Sequence, residues 1–456
     1  MNKRRLLTIL LTSVSVITAA AGCAGNGGQT QAPSESAGES ASAARETQAG
    51  TETQQAQDEW TLHFMMPYAE NHALAKTIAG VVAKYQETHP EFVYHPEYIS
   101  DSEAYYQKLK ILISSNEAPD WFFGDPDTFT EGLRDMGMLY DIGGLIEELG
   151  IRDYFMDITY EYPKYDDGSL YLMATGANTE YFFYHPSLFE KAGVEPPKTF
   201  NEFFEVCDKL KEAGITPLSA QSDPWYLLRF AAMVPYRMTK NEFIDSARTG
   251  QTSFHSEAGI KAGEFVQQIS QYFVDGWAGN DASTARDYFL SGGAAMWYNP
   301  TSSALDYVTD ENQEWKEDIA YFTMPTLDGY NVTAGTDYFA NSGKGIAMLA
   351  DSMSVEMKDF VKFFVENFGD TAFYENNYIS GIKPENTTDI SDCYKELLDN
   401  FSKVGPQNYA YCWDVRMDAA SNEVLKAETV NLAIGEITPE EWADRIDKAV
   451  KENAGN

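Results

Sequence analysis

Residues 181–193 read YFFYHPSLFEKAG, and residues 197–203 continue with PKTFNEF. Gly193 predicts the end of a helix, because glycine readily adopts the left-handed conformation that terminates one. The hydroxyl of Thr199 is expected to cap the next helix, which Gly214 is placed to end. Local chemistry therefore sets the helix boundaries in this part of the chain.

Strands and helices alternate in the part of the chain that precedes this stretch. The pattern predicts a strand at 60–66, a helix at 73–88, a strand at 92–95, a helix at 102–115 and a strand at 121–123. Such alternation with short connections is typical of parallel β-α-β units. Because ligands bind beyond the carboxyl ends of parallel strands, loops 68–71 and 124–128 are the first candidate site loops.

Further motifs are spread over the chain after residue 58. They read EAPD at 117–120, DGSLY at 167–171, KLKEAGITPL at 209–218, GGAAM at 292–296 and GEITPEE at 435–441. In this order, and together with residues 181–203, they resemble the extracellular solute-binding proteins of bacterial ABC importers, the group that contains maltose-binding protein. The resemblance implies an α/β fold of two lobes, type II-like among periplasmic-binding-protein folds, with a ligand cleft between the lobes.

The resemblance also implies that each lobe is built from two separated segments. The N-terminal lobe is predicted at 59–174 plus 325–382, the C-terminal lobe at 175–324 plus 383–456, and the crossovers near Ala174, Pro325 and Lys383. Size alone favours two lobes, because roughly four hundred folded residues exceed what one hydrophobic core usually accommodates.

The N terminus has the pattern of an export signal with a lipidation site. A basic start at 3–5 precedes an apolar segment at 6–21, which is short for a permanent membrane span. The following AAGC at 20–23 resembles a bacterial lipobox, in which Cys23 becomes the first mature residue and carries lipid. An ordinary cleaved signal with a chance cysteine is the open alternative. Residues 24–58 lack aromatic and large aliphatic side chains, so they are predicted to form a flexible tether.

The formal charge of the chain is −37, and removal of the three basic residues of the signal lowers it to −40. A charge of this sign repels phosphate backbones, so nucleic acid is not an expected partner. It also argues against direct adhesion to anionic lipid. The lipid anchor at Cys23 is therefore the expected membrane contact, at the outer face of the cell membrane.

Motifs for metal binding and catalysis are absent from the sequence. The six histidines have no partner at i+4 spacing and no CxxC pair occurs, so no metal or cofactor is expected. Cys207 is predicted to be core, whereas Cys393 and Cys412 could form a disulfide. A secreted carbohydrate-active enzyme stays open as an alternative, because 70 acidic residues could supply a paired acid and nucleophile.

Candidate solute contacts are loops that combine planar aromatic side chains with carboxylates or amides. Aromatic rings cover the apolar face of a sugar, and polar groups bind its hydroxyls. The proposed ligand-binding residues are Tyr68, Glu70, Asp127, Asp223, Trp225, Trp297, Asn299, Asp337, Tyr338 and Trp413. The resemblance supports Asp223 and Trp225 most directly, because related receptors have a sugar-binding acid and aromatic at this spacing.

Each of these residues also has a structural alternative. Trp225 could start a helix and pack inside the second lobe, Trp297 could lie in a buried strand, and Asp127, preferred here to Asp125, could cap a helix. The sequence also departs from the family at 299–302, where NPTS replaces the usual Gly-Ser/Pro-Trp.

Together these observations predict a receptor and not an enzyme. The expected protein is a monomer anchored outside the cytoplasm that captures a carbohydrate, in particular an oligosaccharide, and delivers it to the membrane subunits of an ABC permease. Closure is favoured by solute because only the closed form contacts it from both lobes. A receptor for a non-sugar solute such as a polyamine stays open as an alternative, because of the strongly negative charge.

Overall fold

The computed structural model describes residues 59–453, apart from 377, 389 and 405–407. The predicted signal at 1–23, which includes Cys23, and the predicted tether at 24–58 lie outside the described residues. Among the helices of the described part, none combines the length and apolar character needed to span a bilayer.

The elements fall into three consecutive groups along the chain. The first group is β1 (Trp60–Met66), α1 (Ala73–Gln86), β2 (Phe92–Tyr98), α2 (Ser102–Ser114), β3 (Trp121–Gly124), α3 (Thr128–Asp135), α4 (Ile142–Leu149), α5 (Asp157–Glu161) and β4 (Met173–Ala174). The second group is β5 (Asn178–Tyr184), α6 (Pro186–Ala192), α7 (Phe200–Glu212), β6 (Thr216–Ser219), α8 (Pro224–Thr239), α9 (Glu242–Ala247), α10 (Glu257–Ile269), α11 (Ala282–Leu290), β7 (Ala294–Pro300), α12 (Thr301–Val308), β8 (Ala320–Phe322) and β9 (Ala340–Asn341). The third group is β10 (Gly345–Met348), α13 (Val355–Asp370), α14 (Asp392–Lys403), α15 (Ala419–Ala433) and α16 (Pro439–Asn453).

The first sheet has the strand order β2-β1-β3-β10-β4. β1 is parallel to β2 and β3, whereas β10 is antiparallel to both of its neighbours. Phe360 of α13 meets Trp121 of β3 and Tyr85 of α1, with ring centroids 5.5 and 5.0 Å apart. The predicted parallel strands and helices at 60–124 are confirmed. We call the elements packed on this sheet the first lobe.

The second sheet has the strand order β6-β7-β5-β8, and the short β9 pairs with the start of β5. β5 is antiparallel to β7 and β8, and its first six residues are buried. Phe182 stacks on Phe322 at 5.1 Å, while Phe183 meets Trp297 at 6.1 Å. Side chains therefore cover both faces of this strand. The elements packed on the sheet form the second lobe, which includes α15 and α16 through their contacts with α8 and α10.

Local helix signals behave as the sequence predicts. The Thr199 hydroxyl accepts a hydrogen bond of 3.2 Å from the Glu202 amide, which caps α7. Gly193 directly follows α6 and Gly214 lies two residues after the end of α7, and both adopt positive φ, at 68° and 73°. Cys207 is buried in α7, as predicted.

Cys393 and Cys412 are free and buried in the structure. The disulfide that the sequence left open is therefore not formed. Cys393 is the second residue of α14 and lies beside Glu314, whose carboxylate accepts the Cys393 amide at 3.2 Å. Cys412 instead lies 3.8 Å from the Asn341 side-chain nitrogen, next to β9. The two thiols thus belong to different parts of the second lobe.

Three chain segments cross between the lobes side by side. The first passes Gly176, the second passes Gly343, and the third passes Ser380, which forms a β-bridge with Gly176. A Cβ atom at Gly176 would come 2.8 Å from the Tyr378 hydroxyl and 3.1 Å from the Ser342 carbonyl oxygen. The close approach of the crossovers therefore requires glycine at this position.

The lobe boundaries stay a prediction. The contacts of residues 324–341 concern the boundary predicted near Pro325. Thr326 forms a β-bridge with the residue that caps α7, and Ala340 pairs with β5. Both contacts are with the second lobe. They favour a second crossover at 342–344, directly before β10, over one near Pro325.

Arg237 is a buried cation that organises the segment before this crossover. Its side chain is in α8, and the residue is 1% exposed. The guanidinium donates to the carbonyl oxygens of Met324, Pro325 and Ala334 and to the Thr333 hydroxyl, the last three at 2.9, 2.7 and 2.9 Å. Burial lowers the pKa of Arg237 to about 10, which still leaves it charged at neutral pH. One side chain therefore satisfies several carbonyl groups that are removed from water.

Replacing Arg237 with methionine is expected to destabilise the fold by about 3 kcal/mol, because several buried acceptors lose their donor at once. Urea unfolding followed by circular dichroism measures the loss. The matched control is Arg445→Met, whose side chain is 45% exposed and pairs with Glu428 at 2.7 Å. That change should stay within about 0.5 kcal/mol of the parent. Equal losses in the two variants would contradict the assigned role of Arg237.

Candidate functional site

A cavity of about 320 Å³ lies between the two lobes, beside the three crossovers. The first lobe contributes Tyr68, His72, Asp125 and Lys344 to its wall, and the second lobe contributes Glu180, Trp225, Arg229, Ser302 and Asp414. The crossovers supply Asn178, Asn341, Ser342 and Tyr378. Residues from three regions of the sequence therefore meet around one volume, which we call the cleft cavity.

Tyr68 and His72 form the aromatic part of the first-lobe wall. Their rings stack with centroids 4.7 Å apart, and Tyr68 also packs edge-on against Phe123 at 5.2 Å. Burial raises the pKa of Tyr68 and lowers the pKa of His72, although Asp306 opposes the shift of the histidine. A neutral His72 is consistent with its role as cap of α1, because its Nδ1 accepts the Leu74 amide at 3.2 Å.

Lys344 and Asp125 form an ion pair at the floor of the cleft cavity. The Lys344 ammonium contacts the Asp125 carboxylate and lies 3.0 Å from the Tyr106 hydroxyl. That hydroxyl in turn donates to Asp125 at 2.8 Å. Burial opposes the charged form of Lys344, but Asp125 outweighs it, so the lysine pKa is raised. The three side chains hold one another in a fixed arrangement.

Arg229 is the centre of the second-lobe wall. Its Nε donates to Glu180 at 2.9 Å and its Nη1 to Asp414 at 2.6 Å. The other oxygen of Glu180 accepts the Tyr298 hydroxyl at 2.8 Å. Burial opposes the charge on Arg229, but Asp414 and the other neighbours outweigh it and the pKa is raised. The guanidinium also lies 5.4 Å from the ring centroid of Trp225, which a cation–π contact holds in the cavity wall.

Amide and hydroxyl groups from the crossovers complete the cleft cavity. The Asn341 oxygen accepts the Asn178 side-chain amide at 3.2 Å and the Gly343 backbone amide at 2.9 Å. Ser342 is 1% exposed, and its hydroxyl has no hydrogen-bond partner among the described residues. Because a buried hydroxyl without a partner is costly, Ser342 offers a binding group for a molecule in the cavity.

Two of the residues proposed from the sequence, Tyr68 and Trp225, line the cleft cavity. Glu70 instead lines a neighbouring surface cavity of about 560 Å³, together with Lys76 and Tyr98. Asp223 stands directly before α8, where its carboxylate accepts the Gln221 side-chain amide at 2.9 Å. In each of these two segments one proposed residue, Tyr68 or Trp225, lines the cavity, and the other, Glu70 or Asp223, lies beside it.

Asp127 lies outside the cavity wall, which Asp125 lines instead. The Asp127 carboxylate accepts the amides of Phe129 and Thr130 at 3.1 and 3.0 Å and so caps α3. Burial raises the pKa of Asp127 despite these hydrogen bonds. Asp127 therefore acts as a helix cap, which is the structural alternative that the sequence left open.

The remaining proposed residues are buried within the second lobe, away from the cavity wall. Trp297, Asn299, Asp337, Tyr338 and Trp413 are each less than 5% exposed. Trp297 stacks on Phe289 at 5.7 Å, and Trp413 packs against Phe243 at 5.6 Å. The Asp337 carboxylate accepts the Ala334 amide at 2.8 Å. Core packing and loop closure therefore account for their contacts.

The sequence reasoning missed Arg229, Glu180, Lys344 and Asn341, all of which line the cleft cavity. Two of them carry a signal that could have been used. Glu180 directly precedes the aromatic run 181–184 of β5, and Arg229 interrupts the apolar run of α8. A charge within a buried segment needs a partner and often marks a site.

A larger cavity of about 790 Å³ lies along the outer edge of β8. Its wall includes Trp315, Tyr321, Glu396 and Asn400, all from the second lobe. The Glu396 carboxylate is already engaged by the Tyr321 hydroxyl at 2.7 Å and by the Trp315 indole at 3.2 Å. This cavity lacks a contribution from the first lobe, so the cleft cavity is the better candidate. Within the described ranges, no group of histidine, cysteine and acidic side chains is arranged to hold a metal ion.

Comparison with known proteins adds independent observations. Residues 69–367 match the family model described as bacterial extracellular solute-binding protein. A probable sugar-binding periplasmic protein of Rhizobium meliloti (strain 1021) is 23% identical over 255 residues, which are 53% of this chain. The match spans 58% of that relative's length.

Solved structures share the fold over nearly their whole length. A protein from work on xylan utilization by the thermophilic bacterium Caldanaerobius polysaccharolyticus has a TM-score of 0.73 at 20% identity, over 85% of this chain and 99% of its own. A chitin oligosaccharide binding protein has a TM-score of 0.73 at 21% identity, over 88% of this chain and 100% of its own. At these identities the likeness concerns the fold. With the family match over most of the folded part, it shows that this chain belongs to the bacterial extracellular solute-binding protein family and has its two-lobed α/β fold.

Proposed function

We propose that this protein is the extracytoplasmic substrate-binding component of an ABC importer, and that it captures a carbohydrate, in particular an oligosaccharide, in the cleft cavity. The observation that carries the proposal is the cavity itself. It lies between the lobes and joins the half-buried ring of Trp225 to several hydrogen-bonding side chains. A sugar offers an apolar face of C–H bonds for the ring and hydroxyl groups for the polar side chains.

The charges around the cleft cavity favour an uncharged solute. Arg229 pairs with both Glu180 and Asp414, and Lys344 pairs with Asp125, so both cations are engaged and one net negative charge remains among these groups. A polyamine or an anionic solute would have to compete with these internal ion pairs, which costs free energy. Neutral hydroxyls can instead add hydrogen bonds to carboxylate and amide oxygens that keep their partners. The names of the structural neighbours, which refer to chitin oligosaccharide and to xylan utilization, point in the same direction.

The same ion pairs favour binding over hydrolysis. A glycosidase of the usual kind needs one carboxyl group that donates a proton and a second that attacks or activates water. The carboxylates of Asp125, Glu180 and Asp414 are each engaged by a cation. This arrangement leaves none of the three free as a proton donor.

Delivery of the solute follows from this proposal. We infer that Cys23 carries the lipid anchor, that residues 24–58 tether the receptor to the outer face of the membrane, and that the closed form docks as a monomer on the permease. Two or more acyl chains give stable anchoring, because each buried CH₂ contributes about 0.8 kcal/mol.

A thermal-shift screen of the soluble form that starts near Asp58 tests the solute class. Chito- and xylo-oligosaccharides, monosaccharides and polyamines such as spermidine are the probes. A solute at a hundred times its Kd should stabilise the fold by about 2.7 kcal/mol, which raises Tm by a few degrees. We expect a shift with an oligosaccharide and none with polyamines. A shift with polyamines alone would keep the receptor and reject the sugar.

Trp225→Ala is expected to weaken binding of the stabilising oligosaccharide by at least about tenfold, because the sugar loses its aromatic platform. Isothermal titration calorimetry measures the Kd. Trp315→Ala is the matched control, since this half-buried tryptophan lines the larger outer cavity. A loss of affinity in the Trp315 variant, with none in the Trp225 variant, would move the binding site to the outer cavity.

Asp125→Asn and Asp127→Asn separate the two acidic residues of the loop before α3. We expect Asp125→Asn to weaken solute binding about tenfold, because it lines the cleft cavity and fixes Lys344. Asp127→Asn should keep the Kd unchanged and the free energy of unfolding within about 0.5 kcal/mol of the parent, because asparagine caps a helix about as well as aspartate. Calorimetric titration and urea unfolding of both variants give the two quantities. The reverse pattern would restore Asp127 as the solute contact.

A further inference from the structure

The loop between α5 and β4 is fixed to the first lobe. The Tyr165 hydroxyl donates to Thr130 at 2.8 Å, and the Arg134 guanidinium lies 4.6 Å from the Tyr165 ring centroid. Arg134 also pairs with Asp167 at 3.2 Å. These contacts hold the neighbouring residue, Asp166, at the surface that faces the second lobe.

Asp166 reaches across to two arginines of the second lobe. One carboxylate oxygen contacts the guanidinium of Arg248, and the other lies 3.1 Å from Nη2 of Arg416. Arg248 directly follows α9, and Arg416 lies two residues after the cavity residue Asp414. Asp166 therefore connects the first lobe to the segment that carries part of the cleft wall.

The second lobe by itself leaves this arginine pair incompletely neutralised. Asp245 accepts from Arg416 at 2.9 Å and lies 3.7 Å from Arg248, so one carboxylate serves two guanidinium groups. Asp166 supplies the second negative charge when the lobes are together. Parting of the lobes would leave the arginine pair with one excess positive charge facing an unpaired Asp166. Because these opposite charges attract each other, the pairing stabilises the closed form.

The two arginines of the cluster are shielded from water, whereas the side chain of Asp166 is 57% exposed. The side chains of Arg416 and Arg248 are 19% and 25% exposed, and Arg416 lies 4.5 Å from the Tyr411 ring centroid. Burial works against ionised Asp166, but Arg248 and Arg416 outweigh it and lower its pKa. A single exposed pair contributes little, whereas a network of partly buried charges contributes more.

We propose that Asp166, with Arg248 and Arg416, forms an interlobe latch that sets the balance between the open and closed forms of the protein. Asp166 is a positioning residue, since it is not among the residues that line the cleft cavity. The apparent Kd of a solute that binds the closed form increases as the closed fraction falls. The effect on affinity rests on the proposed function, whereas the effect on closure does not.

Small-angle X-ray scattering of the solute-free protein starting near Asp58 tests the latch. Asp166→Asn should increase the radius of gyration in 20 mM salt, because the arginine pair no longer attracts the first lobe. The parent should approach the same value in 500 mM salt, where the Debye length falls to a few ångströms. Glu148→Gln is the matched control, because this carboxylate pairs with Lys358 within the first lobe. It should scatter like the parent.

Asp166→Glu should restore the parent radius of gyration, which a merely structural defect would not allow. Urea unfolding verifies that all variants are folded. Identical scattering of the parent and Asp166→Asn at low salt would overturn the latch. For the oligosaccharide that stabilises the parent, Asp166→Asn should raise the Kd about fivefold. Changed scattering with an unchanged Kd would overturn the effect on affinity, and binding of no carbohydrate at all would instead overturn the proposed function.

Discussion

A guanidinium that is removed from water must be paired, and much of the cleft follows from how Arg229 meets this requirement. Its partners Glu180 and Asp414 are far from it in sequence. Pairing brings the start of β5, the helix α8 and the segment after Cys412 around one point. Trp225 lies one helical turn before Arg229, so the same ion pairs fix the ring that faces the cavity. The ion pairs of Arg229 therefore determine both the charge distribution and the shape of the second-lobe wall.

The fold could be predicted where local chemistry decides it. Thr199, Gly193 and Gly214 mark helix ends through their own backbone or side-chain conformation, and the structure has those ends. The two-lobed architecture followed from the order of motifs along the chain. The strand β10 belongs to the first sheet although it follows every strand of the second sheet, and this pairing needed the resemblance or the structure.

The candidate site could be predicted only in part, because its contacts are long-range. Trp225 was identified because the resemblance implies an acidic residue and a sugar-binding aromatic at the spacing of Asp223 and Trp225. Asp125 was passed over for Asp127, since the lysine that places it in the cavity is 219 positions away. Trp297 and Trp413 have the aromatic character of solute contacts, but their side chains are packed in the core. The side that a ring faces depends on neighbours that a single sequence does not reveal.

The position of β10 has a consequence for how the molecule is made. This strand lies between β3 and β4, and it is the neighbour of both. Residues 175–344 must leave the ribosome before it can be inserted, so the first sheet stays incomplete while the entire second sheet is synthesised. Such non-local pairing slows folding and leaves strand edges open for longer. The first sheet is therefore the later of the two sheets to be finished, although most of its strands are made first.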